Sequence, residues 1–282
     1  MKHLILSIFT LATICLALPC QAYDFSAVSP SGHTLYYNIV NGEAQVTRPS
    51  TTGYGGSIAG HLIIPDSVSY LMHTYAVTSI DERAFQGCQN MTQVSCPNTI
   101  TTINRLAFFS CHYLTSVTLP DSLTIIDERI FTFCDNLTSI TIPNTVTSIG
   151  MLAFSGCSSL ANITIPNSVR YICNNAFINC TSLTSIIIPN SVSYIDKPFV
   201  GCYNIDTIIV LPGNPYFDSR NGCNAIIETY TNNLVVGCKS TIIPNSVTII
   251  DQSAFENHST LTSIAIPGSV TTIYQRACFG CP

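Results

Sequence analysis

LTSITIPNTVTSIGMLAFSGC, residues 137–157, is one copy of a phrase that recurs along most of the chain. Its Pro143 stands 23 residues after Pro120 and 23 before Pro166. Pro97 and Pro189 continue the series, and Pro244 and Pro267 repeat the interval. The shared form is close to I-P-N-S-V-T-x-I-x-x-x-A-F-x-x-C-x-x-L-T-S-I. A strict period of this length marks stacked supersecondary units, each touching only its neighbours. Function then belongs to a long repeated surface and not to one buried catalytic cleft.

Within this copy, residues 137–142 read as a short strand, with Leu137, Ile140 and Ile142 inward and Thr138, Ser139 and Thr141 outward. Pro143 ends the strand because it has no N–H for the ladder, and Pro143-Asn144 supplies turn chemistry. Residues 146–149 form a second extended stretch, and Ala153, Phe154, Cys157 and Leu160 carry the chain back along the far wall. One coil leaves its apolar lumen open at both ends, so it is stable only when neighbouring coils cover it. The expected fold is a β-rich solenoid of right-handed 23-residue coils over residues 61–282.

Two intervals depart from the period: Pro65 to Pro97 and Pro212 to Pro244 are each 32 residues. Hairpin insertions are expected near residues 69–76 and 213–238, the second turning at Thr231-Asn232-Asn233. Such insertions either contact partners or patch a change of curvature. Asn41-Gly42 between strand-like runs is a strong hairpin signal. Residues 23–60 are accordingly read as an N-terminal β cap that seals the first coil.

Met1-Lys2-His3, an apolar run over residues 4–18, Pro19 and Ala22 have the form of a secretory signal, residues 1–22, cut before Tyr23. A lipoprotein cleavage at Cys20 is disfavoured by Pro19. The run is too short to span a bilayer, and no later segment has eighteen consecutive apolar residues. Charged residues make up 9% of the chain and the net charge is −5, which removes the footprint of a nucleic-acid binder. With 46% hydrophobic residues, the exterior is made polar by Ser, Thr and Asn. At Cys281-Pro282 two expectations remain: a truncated product, or a last coil covered by a partner or a second copy, with self-association through the C-terminal coil.

Cys88, Cys111, Cys134, Cys157 and Cys180 follow the period, and Cys202 comes 22 residues later. Stacked coils put Cα atoms about 4.8 Å apart, yet parallel side chains keep the Cβ atoms beyond the roughly 3.5–4.5 Å of a disulfide. These six are read as a structural ladder of buried thiols, with His258 at the equivalent position. Cys223 and Cys238, off the ladder, are the pair expected to bridge. Cys278-Phe279-Gly280-Cys281 lacks both a βαβ context and a second C-x-x-C; Cys281 falls in ladder register and Cys278 replaces the repeat's phenylalanine. His33, His61, His73, His112 and His258 show no metal-ligand spacing, and no G-x-S-x-G or phosphate loop accompanies them. Asp206 and Glu228 are not paired as glycosidase carboxylates. No enzyme, cofactor or metal is expected.

Across successive coils the outward mid-strand position reads Ser95, Thr118, Thr141, Thr164, Ile187, Ile209 and Ala265. The adjoining column reads Thr92, Thr115, Thr138, Ala161, Thr184, Asp206 and Thr262. A hydroxyl band thus grades into an apolar patch, the look of a protein-binding face. Thr118, Thr141, Thr164, Ile187 and Ile209 are the candidate ligand-binding residues; β-propensity alone also accounts for them. A lectin is an alternative, with Tyr36, Tyr37, Tyr54, Tyr70, Tyr75, Tyr171, Tyr194 and Tyr203 standing in for the absent tryptophan. A self-assembling envelope layer without a host ligand is another.

The phrases VTSIDERAFQGC (77–88), LTSITIPNTVTSIGMLAFSGC (137–157) and LTSIIIPNSVSYI (183–195) resemble the BspA-like, or type 5, leucine-rich repeats of bacterial surface antigens. Residues 221–249 resemble an insertion frequent in such proteins from gut and oral Bacteroidetes. The resemblance covers residues 62–281. It implies a leucine-rich repeat solenoid and a secreted or cell-surface, adhesin-like module whose partner is an extracellular protein of host matrix or another cell.

Overall fold

The computed structural model describes residues 23–282 apart from residue 51; the signal-peptide expectation for residues 1–22 lies outside the described residues. Most coils contribute one strand before their proline, residues 161–165, 241–243 and 261–266 being exceptions, and one after the turn that follows it. The strands before the prolines build a front sheet in which Ala59–Ile63, Asn90–Ser95, Ser116–Thr118 and Ser139–Ile140 run parallel. The strands after the turns build a back sheet of Ile125–Ile126, Ser148–Ile149, Tyr171–Ile172 and Tyr194–Ile195, also parallel. Ser148 pairs with Tyr171 and Tyr171 with Tyr194, so each step of the ladder is one sequence period.

Between the sheets the inward side chains form columns. Phe85, Phe108, Phe131, Phe154, Phe177 and Phe199 stack face to face, with adjacent centroids from 5.2 Å to 5.5 Å, and Tyr54 extends the stack at 5.3 Å from Phe85. All twelve described cysteines are free thiols. In the cysteine column Cys111, Cys134, Cys157, Cys180 and Cys202 are buried. Each donates its S–H to the main-chain carbonyl of the phenylalanine one coil back, at 3.0–3.3 Å. A small side chain that packs and also satisfies a buried carbonyl suits this position.

The hydroxyl-rich composition has a similar cause. Thr145, Ser168 and Ser191, just after the Pro-Asn turns, donate to the carbonyls of Leu123, Val146 and Val169 in the preceding coil, at 2.6–2.8 Å. Thr115 donates to the Thr92 carbonyl at 2.9 Å in the same way. Short strands leave many carbonyls beyond the ladder, and Ser and Thr are the smallest donors that reach them.

At the N-terminal end Phe25–Val28, Thr34–Val40 and Glu43–Thr47 form an antiparallel meander, with Asn41 (φ 53°) and Gly42 (φ 83°) making its tight turn. Glu43–Thr47 then pairs in parallel with His73–Ile80, which joins the meander to the stack. The first longer interval is a hairpin of Ser67–Tyr70 with the start of His73–Ile80. Its turn residues, Leu71 (φ 47°) and Met72 (φ 63°), are left-handed and 73% and 98% exposed. The second is the antiparallel set Phe217–Asp218, Ala225–Glu228 and Asn233–Gly237, whose last strand pairs in parallel with Ile249–Ile250 and so restarts the ladder. Gly237 sits directly against the Phe255 ring, where any Cβ would collide.

Cys223 and Cys238 do not bridge, contrary to the expectation from sequence. Ala225 pairs with Gly237, so continuing that antiparallel register sets Cys238 opposite Asn224 and leaves Cys223 one residue out of step. Successive residues point to opposite faces. Cys238 accordingly packs in the main core and Cys223 in a separate cluster with Ala225, Ile227 and Leu234. The Cys238 thiol donates to the Asn224 carbonyl at 3.2 Å instead.

Candidate functional site

Thr118, Thr141, Thr164, Ile187 and Ile209 all point outward from the front wall and are exposed, Ile187 by 50% and Ile209 by 40%. The front sheet is interrupted in the middle of this series. Among the described residues Ser139–Ile140 pairs only with Ser116–Thr118, and Ser185–Ile188 only with Thr207–Val210. The intervening residues 161–165 form no strand and make no main-chain hydrogen bond to another described residue's main chain. On both sides of the break the coils remain bonded: Ser159 N–H reaches the Asp135 carbonyl at 3.0 Å, Ser182 N–H the Ser158 carbonyl at 3.1 Å, and Arg170 N–H the Thr147 carbonyl at 2.8 Å. The back sheet runs through unbroken. The wall therefore opens on one face only.

A cleft of about 470 Å³ occupies this opening. Residues 162–167 form one wall and Ser185, Ile187 and Pro189 the other, with Asn144 and Leu211 completing it. The lining is Asn, Ser and Thr beside Ile, Leu and Pro, with no charged and no aromatic side chain. Of the five candidate residues, Thr164 and Ile187 are brought together here; Thr118, Thr141 and Ile209 lie on the same outward face but outside the lining.

The cleft itself was not foreseen. Its sequence signal is Ala161-Asn162, which stands where neighbouring copies have Thr115-Ser116, Thr138-Ser139 and Thr184-Ser185. The threonine column carries the contacts Thr115 to Thr92 and Thr138 to Thr115, and Ala161 has no hydroxyl with which to continue it. Asparagine at the next position disfavours the extended strand.

Other chemistry lies away from the cleft. Glu82 accepts from Arg105 at 3.0 Å, and that hydrogen bond holds its carboxyl below the usual range. Among the described residues no group of three or more His, Cys, Asp or Glu is placed to hold a metal ion. Cys281 donates to the Phe255 carbonyl at 3.0 Å, and Cys278 is exposed. Of the tyrosines, Tyr37 and Tyr54 are buried, while Tyr171 and Tyr194 are half exposed neighbours on the back sheet.

Residues 78–206, 124–236 and 225–282 match the BspA type leucine rich repeat region, in six copies. The chain belongs to the BspA-type leucine-rich repeat family. This BspA-type chain is similar to the crystal structure of a leucine-rich repeat protein from Bacteroides ovatus, with 28% identity and a TM-score of 0.67 over 89% of this chain and 61% of that one. It thus spans less than two thirds of that protein's length. A leucine rich cell surface protein from Faecalibacterium prausnitzii has 28% identity and a TM-score of 0.64 over 89% of this chain and 72% of that one. A leucine-rich repeat protein from T. pallidum has 30% identity and a TM-score of 0.55 over 64% and 79%. No curated protein matches the chain. Among the described residues no helix is long and apolar enough to cross a membrane.

Proposed function

We propose that this BspA-type chain is a secreted or cell-surface, adhesin-like binding module, not an enzyme, and that it contacts an extracellular protein through its front wall. The observation that carries this reading is the coincidence of the cleft with the exposed step from Thr164 to Ile187 and Ile209. Exposed apolar residues beside a hydroxyl rim have the composition of a recognition surface. From Thr118 to Ile209 the candidate positions lie on five successive coils, four steps that amount to roughly 19 Å at ordinary strand spacing. That length suits one side of a modest protein interface. The likeness to a leucine rich cell surface protein from Faecalibacterium prausnitzii supports the location.

A glycan ligand is less well served, because the half-exposed Tyr171 and Tyr194 lie on the back sheet and the cleft lining holds no ring for a sugar to stack on. The test is surface plasmon resonance of residues 23–282 against a panel of matrix proteins and mucin glycans, beside the double variant Thr141→Lys, Ile187→Lys. Saturable binding of a protein ligand that the variant loses supports the adhesin reading. Absence of binding by either chain, with self-association on sizing, would replace it with the self-assembling envelope reading.

A further inference from the structure

Where the front wall opens, two neighbouring main-chain edges have no main-chain partner among the described residues. One is residues 161–165, and the other is the edge of Ser185–Ile188 turned away from Thr207–Val210. Main-chain N–H and C=O groups are strong donors and acceptors, and groups removed from water need partners. We propose that the cleft binds an extended polypeptide segment by strand addition, the guest supplying the rung that residues 161–165 do not make. This deepens the front-wall reading and rests on it.

Three properties of the cleft select this occupant. Two edges of alternating donors and acceptors match a peptide main chain, which repeats every two residues, better than a sugar or an acyl chain. The lining carries no charge, so the guest is neutral, and no aromatic ring, so a stacked sugar is not the natural ligand. About 470 Å³ lies within the ~300–1,000 Å³ of ordinary ligand sites. Ile163, Ile187 and Leu211 give a guest apolar side chain its contact. The back sheet and the turn bonds run on through these coils, so they stay joined on either side of the cleft.

The probe is the synthetic peptide Leu-Thr-Ser-Val-Thr-Leu-Pro, the sequence of residues 114–120, which makes this rung elsewhere in the stack. Its competitor is the same peptide N-methylated at alternate amides. Amide hydrogen exchange of the whole chain is followed by NMR. In the free protein the amides of Ile163, Thr164 and Ile165 should exchange fast while that of Ile172 exchanges slowly. The peptide should slow the first set by about tenfold or more, without loss at raised salt, and the N-methylated peptide should not. Protection of residues 163–165 in the free protein, no protection by the peptide, or equal protection by its N-methylated form would each overturn the proposal. The two readings separate cleanly: matrix-protein binding that survives a failed peptide experiment leaves the front-wall reading standing and removes strand addition alone.

Discussion

The thiol of Cys157 donates to the main-chain carbonyl of Phe131, 3.2 Å away and one coil back. Burial pushes this thiol, with those of Cys111, Cys134 and Cys180, well above the ordinary range, and that of Cys88 up to about 12. The thiolate is the reactive form. A thiol-specific alkylating reagent on the native protein should therefore modify exposed Cys278 first and spare the column until the chain unfolds, as read by peptide mass mapping. Cys157→Ala should cost about 1–3 kcal/mol, the loss of a partner for a buried carbonyl.

The rings of Phe154 and Phe177 lie 5.2 Å apart and parallel to within 1°. Phe154→Ala would remove a fully buried ring from the middle of the column and should cost about 3–5 kcal/mol. Coils couple only through their neighbours, so the urea transition should broaden as well as move to lower concentration. An unchanged midpoint would show that the column does not hold the stack together.

His258 occupies the thiol column, is almost fully buried, and its Nδ1 has no hydrogen-bond partner among the described residues. Burial lowers its pKa from 6.5 to about 4. The folded state thus favours the neutral ring, and the unfolded chain takes up the proton first. This contribution to stability is complete above about pH 6.5, falls as pH drops towards 4, and is then spent. The loss is on the order of 3 kcal/mol. His258→Cys should remove that part of the acid sensitivity, measured as the difference between variant and wild type in urea unfolding at neutral and acid pH.

Leu71 and Met72 make a left-handed turn without glycine while packing against little. Left-handed backbone costs an ordinary residue about 1–2 kcal/mol. The pair Leu71→Asn, Met72→Gly should therefore raise the thermal midpoint; a lower midpoint would mean that the two side chains hold the hairpin in place.

What the sequence made legible was whatever repeats. The Pro, Asn, Phe and Cys columns declare the coil, and Asn41-Gly42 announces its own turn. The Leu71-Met72 hairpin carries no turn signal and was reached only through the 32-residue interval from Pro65 to Pro97. The separation of Cys223 from Cys238 is not legible in the sequence, because a one-residue register, Ala225 opposite Gly237, decides which face each thiol takes. The cleft is harder still, since its signal is a negative one: Ala161 and Asn162 stand where Thr and Ser would continue a column, and no motif of its own marks the break.

The most direct test of the front wall compares two single variants for binding to whichever matrix protein or mucin the wild-type chain captures. Ile187→Lys alters the front face, and Tyr171→Lys alters the equally exposed back sheet of the same stack. The front-wall account predicts that Ile187→Lys abolishes saturable binding and Tyr171→Lys leaves it intact. Loss with Tyr171→Lys alone, or equal loss with both, would contradict it.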